Sequence, residues 1–323
     1  MTGTVLYVSD HDAPTETDTP ACYLHPKREA LMRCSRCERP ICGDDAIEAP
    51  VGYQCPKCAE GGAPVRRLVD VANAAPLTRG LVYVIGGLYV LTMAVPGMVE
   101  MFGLRPILLA PGGPEVLSAA PWYSPSTLAL LIGEPWLLIT SAFLHANLMH
   151  VGFNGLLLWQ LGHMLEPTLG RSRFASLYLA GMAGGGLGVV LIAWASTLAG
   201  AGDLAFVQQV LGGNPMQITI GASGAVFGLM GAAMVNLRAR GINPWKTSIG
   251  TLVLLNLVIT FVIPQVSVGG HVGGLLGGAL AGKLLMVGRE QATRASVRVT
   301  AIAIGMLVLA VGLASATLDL LAG

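Results

Sequence analysis

The chain has 323 residues, of which 53% are hydrophobic and 11% charged, with a mean hydropathy of +0.66. A soluble domain carries about a quarter charged residues, so this composition excludes an ordinary soluble protein. The net charge of +1 identifies no partner, but where the charges fall along the chain is informative.

Residues 1–20 are polar and acidic, without a basic stretch followed by an apolar one. They read as a disordered leader rather than a signal peptide. All six cysteines follow, between Cys22 and Cys58. An N-terminus that stays in a reducing cytosol favours metal binding over three disulfides. Residues 21–60 contain Cys22-x2-His25, Cys34-x2-Cys37, Cys42-x2-Asp45 and Cys55-x2-Cys58, four pairs at the spacing of structural zinc ligands. A module this small needs such staples to fold. The pairing resembles B-box-type cross-braced fingers. That resemblance implies one site from Cys22, His25, Cys42 and Asp45, and a second from Cys34, Cys37, Cys55 and Cys58. Asp44 is an alternative to Asp45 in the first. Lys27, Arg28, Arg33, Arg36 and Arg39 read as a solvated face rather than a nucleic-acid surface. Most cross-braced modules bind proteins, so a cytosolic protein is the partner expected here. Residues 61–79 form a basic linker.

From Gly80 onwards seven apolar segments are expected: Leu81–Met98, His145–Leu165, Phe174–Leu198, Gly224–Leu237, Ile249–Ile263, Val268–Val287 and Val299–Leu321. Several approach the 20 residues that span roughly 30 Å of hydrocarbon as a helix. The fourth is short, which implies a non-helical approach below the membrane surface. Arg66, Arg67 and Arg79 precede the first segment. Arg171 and Arg173 fall between the second and third, and Arg238, Arg240 and Lys246 between the fourth and fifth. Lys283, Arg289, Arg294 and Arg298 surround the end of the sixth, whereas the opposite side has Arg105. Positive charges stay on the cytosolic side, so seven crossings with a cytosolic N-terminus and an extracytoplasmic C-terminus are expected.

With that topology the second, fourth and sixth segments run inward from the outer face. His145, His150, Ser223 and His271 then start them at similar depth. Intramembrane polar residues are costly and usually functional. No Asp or Glu occurs from Leu204 to Arg289, so a Ser–His dyad is the chemistry these residues can support. Gly274, Gly278 and Gly282 recur every four residues, and Gly224, Gly228 and Gly231 line the fourth segment, letting backbones approach closely. His150 and Asn154 share a helix face and suit oxyanion donation. A metal there is disfavoured, because no carboxylate or cysteine accompanies the histidines and HExxH is absent. A coupled transporter would need paired halves or midplane charges, which the chain lacks.

His145-x4-His150-x3-Asn154, Gly221-Ala222-Ser223-Gly224 and His271-x2-Gly274-x3-Gly278 together resemble the rhomboid family of intramembrane serine proteases, over roughly Gly80 to Val287. The resemblance implies an all-α polytopic fold: a six-helix core over 80–287, then a linker and seventh transmembrane helix in 288–323. It implies Ser223 as nucleophile, His271 as general base and acid, His150 and Asn154 in the oxyanion hole, and His145 organising the cavity. Phe227 would pack on the catalytic histidine, and Glu166 would brace the first loop. No cofactor is implied for catalysis; the zinc belongs to the finger. The substrates implied are transmembrane segments of membrane proteins, cut within the lipid bilayer, here of a bacterial plasma membrane. A non-catalytic binder of transmembrane clients is the alternative. One departure is Trp136-Leu137, where family members usually have Trp-Arg.

Overall fold

The computed structural model describes residues 20–49, 52–60, 74–116, 126–198, 214–263, 265–286 and 291–322. The expected leader up to residue 19, the linker stretch 61–73 with Arg66 and Arg67, Val287 and Arg289 lie outside the described residues. The chain divides into two compact units, Met1–Arg67 and Leu68–Gly323.

The first unit is built on two short antiparallel hairpins. Strand β1 (Met32–Arg33) pairs with β2 (Pro40–Ile41), and β3 (Ile47–Glu48) with β4 (Tyr53–Gln54). Helix α1 (Pro56–Glu60) follows. Its buried apolar groups are two small clusters, Cys22 with Ala30 and Cys42, and Cys34 with Ile41 and Cys55. Cysteines thus take the places that aliphatic side chains fill in a larger domain. So few apolar contacts cannot outweigh the entropy of ordering such a chain.

The described residues of the second unit contain seven long helices: α2 (Pro76–Ala94), α3 (Leu148–Leu169), α4 (Arg171–Leu198), α5 (Ser223–Ala239), α6 (Ser248–Val262), α7 (Val268–Leu285) and α8 (Ala292–Ala322). The protein is therefore a largely helical integral membrane protein. Helices α2, α4 and α8 are long and apolar enough to cross a membrane, and α6 is a shorter apolar helix. The remaining three carry His150, Asn154, Ser223 and His271 together with spaced glycines. Their polarity is tolerated where they face protein; Ala225 to Ala233 of α5 are all buried.

Two helices begin at least five residues earlier than their apolar pattern suggests. Helix α2 starts at Pro76 rather than Leu81, so the expected linker to residue 79 ends in helix. Proline suits a first helical position, where its missing N–H would be unsatisfied anyway. The next amides find a carboxylate: Leu77 and Thr78 donate to Glu166 at 2.9 and 2.8 Å, and the Thr78 hydroxyl donates at 2.7 Å. Glu166 is 2% exposed and sits near the end of α3. It caps the first transmembrane helix; the expectation that it braces the first loop is corrected. Helix α8 starts at Ala292 rather than Val299, because its first turns are amphipathic. Ser296 there is buried beside Ser176 of α4, whose hydroxyl also meets that of Thr300 at 3.1 Å.

The centre of the bundle is glycine against glycine. A Cβ on Gly278 would lie 2.1 Å from the Gly228 carbonyl oxygen, and one on Gly274 the same distance from that of Gly224. The α5–α7 seam expected from the spacing is present, and α4 joins it. A Cβ on Gly188 would meet the Gly269 carbonyl oxygen at 2.1 Å, and one on Gly184 that of Gly273 at 2.6 Å. Backbones this close permit the dispersion contacts that hold helices together in lipid.

The first loop packs on this core through an apolar cluster of Leu104, Ile107, Leu108, Leu109, Leu137 and Leu138 with Val189 and Val190 of α4 and Ala310 and Ala314 of α8. Leu137 is fully buried there. Aliphatic burial thus anchors the loop at Leu137, where the resemblance led to the expectation of an arginine.

Candidate active site

The approach to Ser223 is extended and held from three sides. Leu104 and Thr219 exchange amide–carbonyl hydrogen bonds at 3.0 and 2.8 Å, and the Gly221 amide donates to the Ser141 carbonyl at 2.9 Å. The Ala222 amide donates to His145 Nε2 at 3.4 Å. Helix α5 then begins at Ser223 itself. A serine held at a helix start has its hydroxyl outside the helical hydrogen-bond ladder, and nearby amides free to face a developing anion.

Helix α3 supplies the second wall. Asn147 caps it, its side-chain oxygen accepting the His150 amide at 2.9 Å. His145 is buried and its ring meets that of His150 edge-on, with centroids 4.9 Å apart. Asn154 is buried one turn further along, where its Nδ2 donates to the His150 carbonyl at 2.9 Å. That bond uses one of its two amide hydrogens and leaves the other. Gly221 connects the two walls. A Cβ there would lie 2.7 Å from His150 Nε2 and 3.7 Å from Ser223 Oγ. The histidine nitrogen and the serine oxygen therefore flank one small space.

Helix α7 supplies the third wall. Ser267 caps it, accepting the Gly270 amide at 3.0 Å, and His271 follows half-buried. The His271 ring stacks on Phe227 of α5, with centroids 4.1 Å apart and planes at 20°. Phe227 is one turn below Ser223, so the stack holds the imidazole on the face of α5 that carries the serine. Among the hydrogen bonds of the described residues there is none between Ser223 and His271; such bonds commonly tighten only with substrate bound. His271 Nδ1 instead meets Thr260 Oγ1 of α6 at 2.6 Å. Thr260 was not among the residues singled out in the sequence. Its only signal there is a hydroxyl in a nearly unbroken apolar run, and threonine is common in such runs.

The first unit brings the eight expected ligands into two groups. The ligand atoms of Cys34, Cys37, Cys55 and Cys58 lie within 4.8 Å of one another, and so do those of Cys22, His25, Cys42 and Asp45. Cys37 and Cys55 sulfurs are 3.8 Å apart, matching the edge of about 3.8 Å that a tetrahedron of thiolates at ~2.3 Å from zinc requires. In the other group, Asp45 Oδ2 lies 3.1 Å from both Cys22 and Cys42 sulfurs and 2.8 Å from His25 Nδ1. Asp44 turns away and pairs with Arg28, so Asp45 is the carboxylate in the cluster. Each of the six cysteines is a free thiol rather than half of a disulfide. Burial pushes the Cys34 thiol up, but backbone amides of Cys55, Arg36 and Cys37 outweigh it and hold it at about 6. Hydrogen bonds from Cys42 and then Cys22 hold the Asp45 carboxyl below its ordinary value. Both groups could hold a metal ion.

Residues 132–288 match the family model described as Rhomboid domain. The match includes α3 to α7 and leaves out α2, which the resemblance in the sequence had included. Rhomboid protease GluP of Bacillus subtilis (strain 168) is 30% identical over 143 residues, 43% of this chain and 24% of that protein. RHOMBOID-like protein 5 of Arabidopsis thaliana is 31% identical over 148 residues, covering 43% and 40%. Putative rhomboid protease YdcA of Bacillus subtilis is 29% identical over 147 residues, covering 45% and 64%. The aligned part thus spans between 24% and 64% of these relatives. Residues 132–288, the segment that carries His145, His150, Asn154, Ser223 and His271, are therefore assigned to a rhomboid domain.

Proposed function

We propose that this protein is an intramembrane serine endopeptidase that cleaves transmembrane segments of other membrane proteins. The observation that carries the reading is that Ser223 Oγ and His150 Nε2 flank one space at Gly221, while His271 stacks on Phe227 one turn below the serine. In this mechanism Ser223 Oγ attacks the scissile carbonyl carbon while His271 takes its proton. The negative charge that develops on the carbonyl oxygen is met by Asn154 Nδ2, His150 and the Ser223 amide. Collapse breaks the C–N bond, and His271 returns the proton to the leaving amine. Water then attacks the acyl-enzyme carbonyl, giving its proton to His271, and Ser223 leaves with that proton restored. Substrate helices must unwind to offer their amide, so segments with helix-weakening residues near the outer face are the expected class.

The orientation proposed with this reading has the N-terminus in the cytosol and the C-terminus outside. The cysteine module is proposed to hold two structural zinc ions, since thiolates and imidazole at tetrahedral spacing suit that metal. A cytosolic protein is its proposed partner.

The test is labelling of purified protein by a fluorophosphonate probe beside Ser223→Ala, together with cleavage of a model transmembrane substrate. Labelling and cleavage that vanish in Ser223→Ala and in His271→Ala support the assignment. The two act as one unit, so the double variant is expected to be no worse than either single one. Wild-type protein that binds the substrate but neither labels nor cleaves would identify a non-catalytic binder of transmembrane clients instead.

A further inference from the structure

We infer that Thr260 is a positioning residue that fixes which nitrogen of His271 carries the proton. The inference rests on the reading of His271 as the base. Thr260 is 1% exposed, on the face of α6 that also buries Gly250 and Val253, while Leu254, Leu255, Val258, Phe261 and Val262 of that helix are exposed. Its Oγ1 lies 2.7 Å from the Asn256 carbonyl oxygen, one turn back, and 2.6 Å from His271 Nδ1.

A hydroxyl has one hydrogen to donate and lone pairs to accept with. A carbonyl can only accept, so the Thr260 hydrogen points to Asn256, the back-bond that threonine commonly makes within helices. The oxygen then faces Nδ1 with a lone pair, and Nδ1 must carry the ring hydrogen. The opposite arrangement would set the hydroxyl and carbonyl oxygens lone pair to lone pair at 2.7 Å. With hydrogen on Nδ1, Nε2 is the bare nitrogen that accepts the Ser223 proton. The Phe227 stack sets the plane of the ring but does not distinguish its two nitrogens; Thr260 does.

The same contact serves the charged state. When the serine proton moves to Nε2, the Nδ1–H bond to Thr260 becomes charge-assisted and strengthens. When the C–N bond breaks, the Nε2 proton passes to the amine and the neutral tautomer returns with Nδ1 still protonated. Thr260 keeps its own hydrogen throughout, so its part is orientation, as a buried carboxylate orients histidine in other serine hydrolases.

The experiment compares the full-length wild type with Thr260→Val and Thr260→Ser. Turnover and KM are measured on a model transmembrane substrate, and nitrogen NMR of labelled histidine reads the His271 tautomer, assigned by the His271→Gln spectrum. Thr260→Val should lower kcat on the order of 10- to 100-fold, by analogy with the loss of partners that orient metal-bound histidines, with KM changed much less. Thr260→Ser should restore most of that loss. Wild-type His271 should give the Nδ1–H signature, and Thr260→Val a mixture. Wild-type kcat in Thr260→Val, or an Nε2–H signature in the wild type, overturns the inference. The wild-type tautomer decides the matter alone if Thr260→Val does not fold. Absence of cleavage by the wild type would sink the protease reading separately, because the tautomer is read in the same protein without turnover.

Discussion

Gly221 stands where the walls of the site meet, with φ at +131°, a conformation that side chains rarely adopt. Gly221→Ala combines that strain with a Cβ that would lie 2.7 Å from His150 Nε2. The ring must move, and misplacement by about 1 Å can cost 10²-fold in rate. A fall in kcat of about that size is expected on a model substrate, with the protein still folded by thermal unfolding. Asn154→Ala and His150→Ala should each lower kcat on the order of 10²-fold, more than they raise KM. A change in KM alone would assign either residue to substrate binding instead. These positions are legible in the sequence because a polar group within an apolar segment is expensive enough to demand a reason. Thr260 is not, since a threonine can satisfy its own hydroxyl within a helix and so costs little.

Helix by helix, the bundle depends on contacts with no slack. A methyl group on Gly278 would sit 2.1 Å from the Gly228 carbonyl oxygen and 2.2 Å from its Cα. Backbone cannot step aside as a side chain can, so Gly278→Ala is expected to destabilise by about 1–3 kcal/mol through overpacking. Gly305→Ala in α8, where nothing lies within 4 Å, is the matched control and should change little. Thermal unfolding in detergent compares the two. Glu166→Ala removes the acceptor of a part-buried amide, a buried amide and a buried hydroxyl at the start of α2. Each buried donor left without a partner costs about 1–3 kcal/mol, so a larger loss of stability than for Gly278→Ala is expected. Four-residue glycine spacing in α5 and α7 announces a seam from the sequence. The part of α4 in that seam is harder to read, because its glycines crowd together at Gly184, Gly185, Gly186 and Gly188, and adjacent glycines point to no single face.

At the scale of the whole molecule, the two units divide the chemistry. The proposed catalytic groups all belong to the unit from Leu68 onward, and the eight candidate metal ligands all belong to Met1–Arg67. Full-length protein is expected to hold two zinc ions by elemental analysis. A competing chelator should strip the Cys22, His25, Cys42 and Asp45 group first, since thiolates suit zinc better than a carboxylate does. Asp45→Ala should remove one ion and Cys58→Ser the other; one ion in the wild type, with Asp45→Ala silent, would leave only the thiolate site. Metal should be lost as pH falls, because protons compete for the thiolates and the imidazole. Protein lacking residues 1–67 should cleave its substrate in detergent as the full chain does. A folded but inactive truncation would mean that the first unit governs the second.

What the sequence by itself determined is what depends on residue type and spacing along one element. The x2 pairs of the cysteine module, the apolar segments and the glycine steps of α5 and α7 are all of that kind. So are the serine and histidines placed at helix starts, where burial of a polar group in lipid needs a purpose. Which groups meet across elements was decided only by tertiary structure. Asp45 rather than Asp44 joins the thiols because the short turn after Cys42 aims one carboxylate inward and lets the other pair with Arg28. Glu166 caps α2 because α3 ends beside the start of that helix. Thr260 reaches His271 because α6 buries the one narrow face that carries it. A helix has many faces of nearly equal local energy, and only packing against its neighbours selects the rotation that brings a given side chain to its partner.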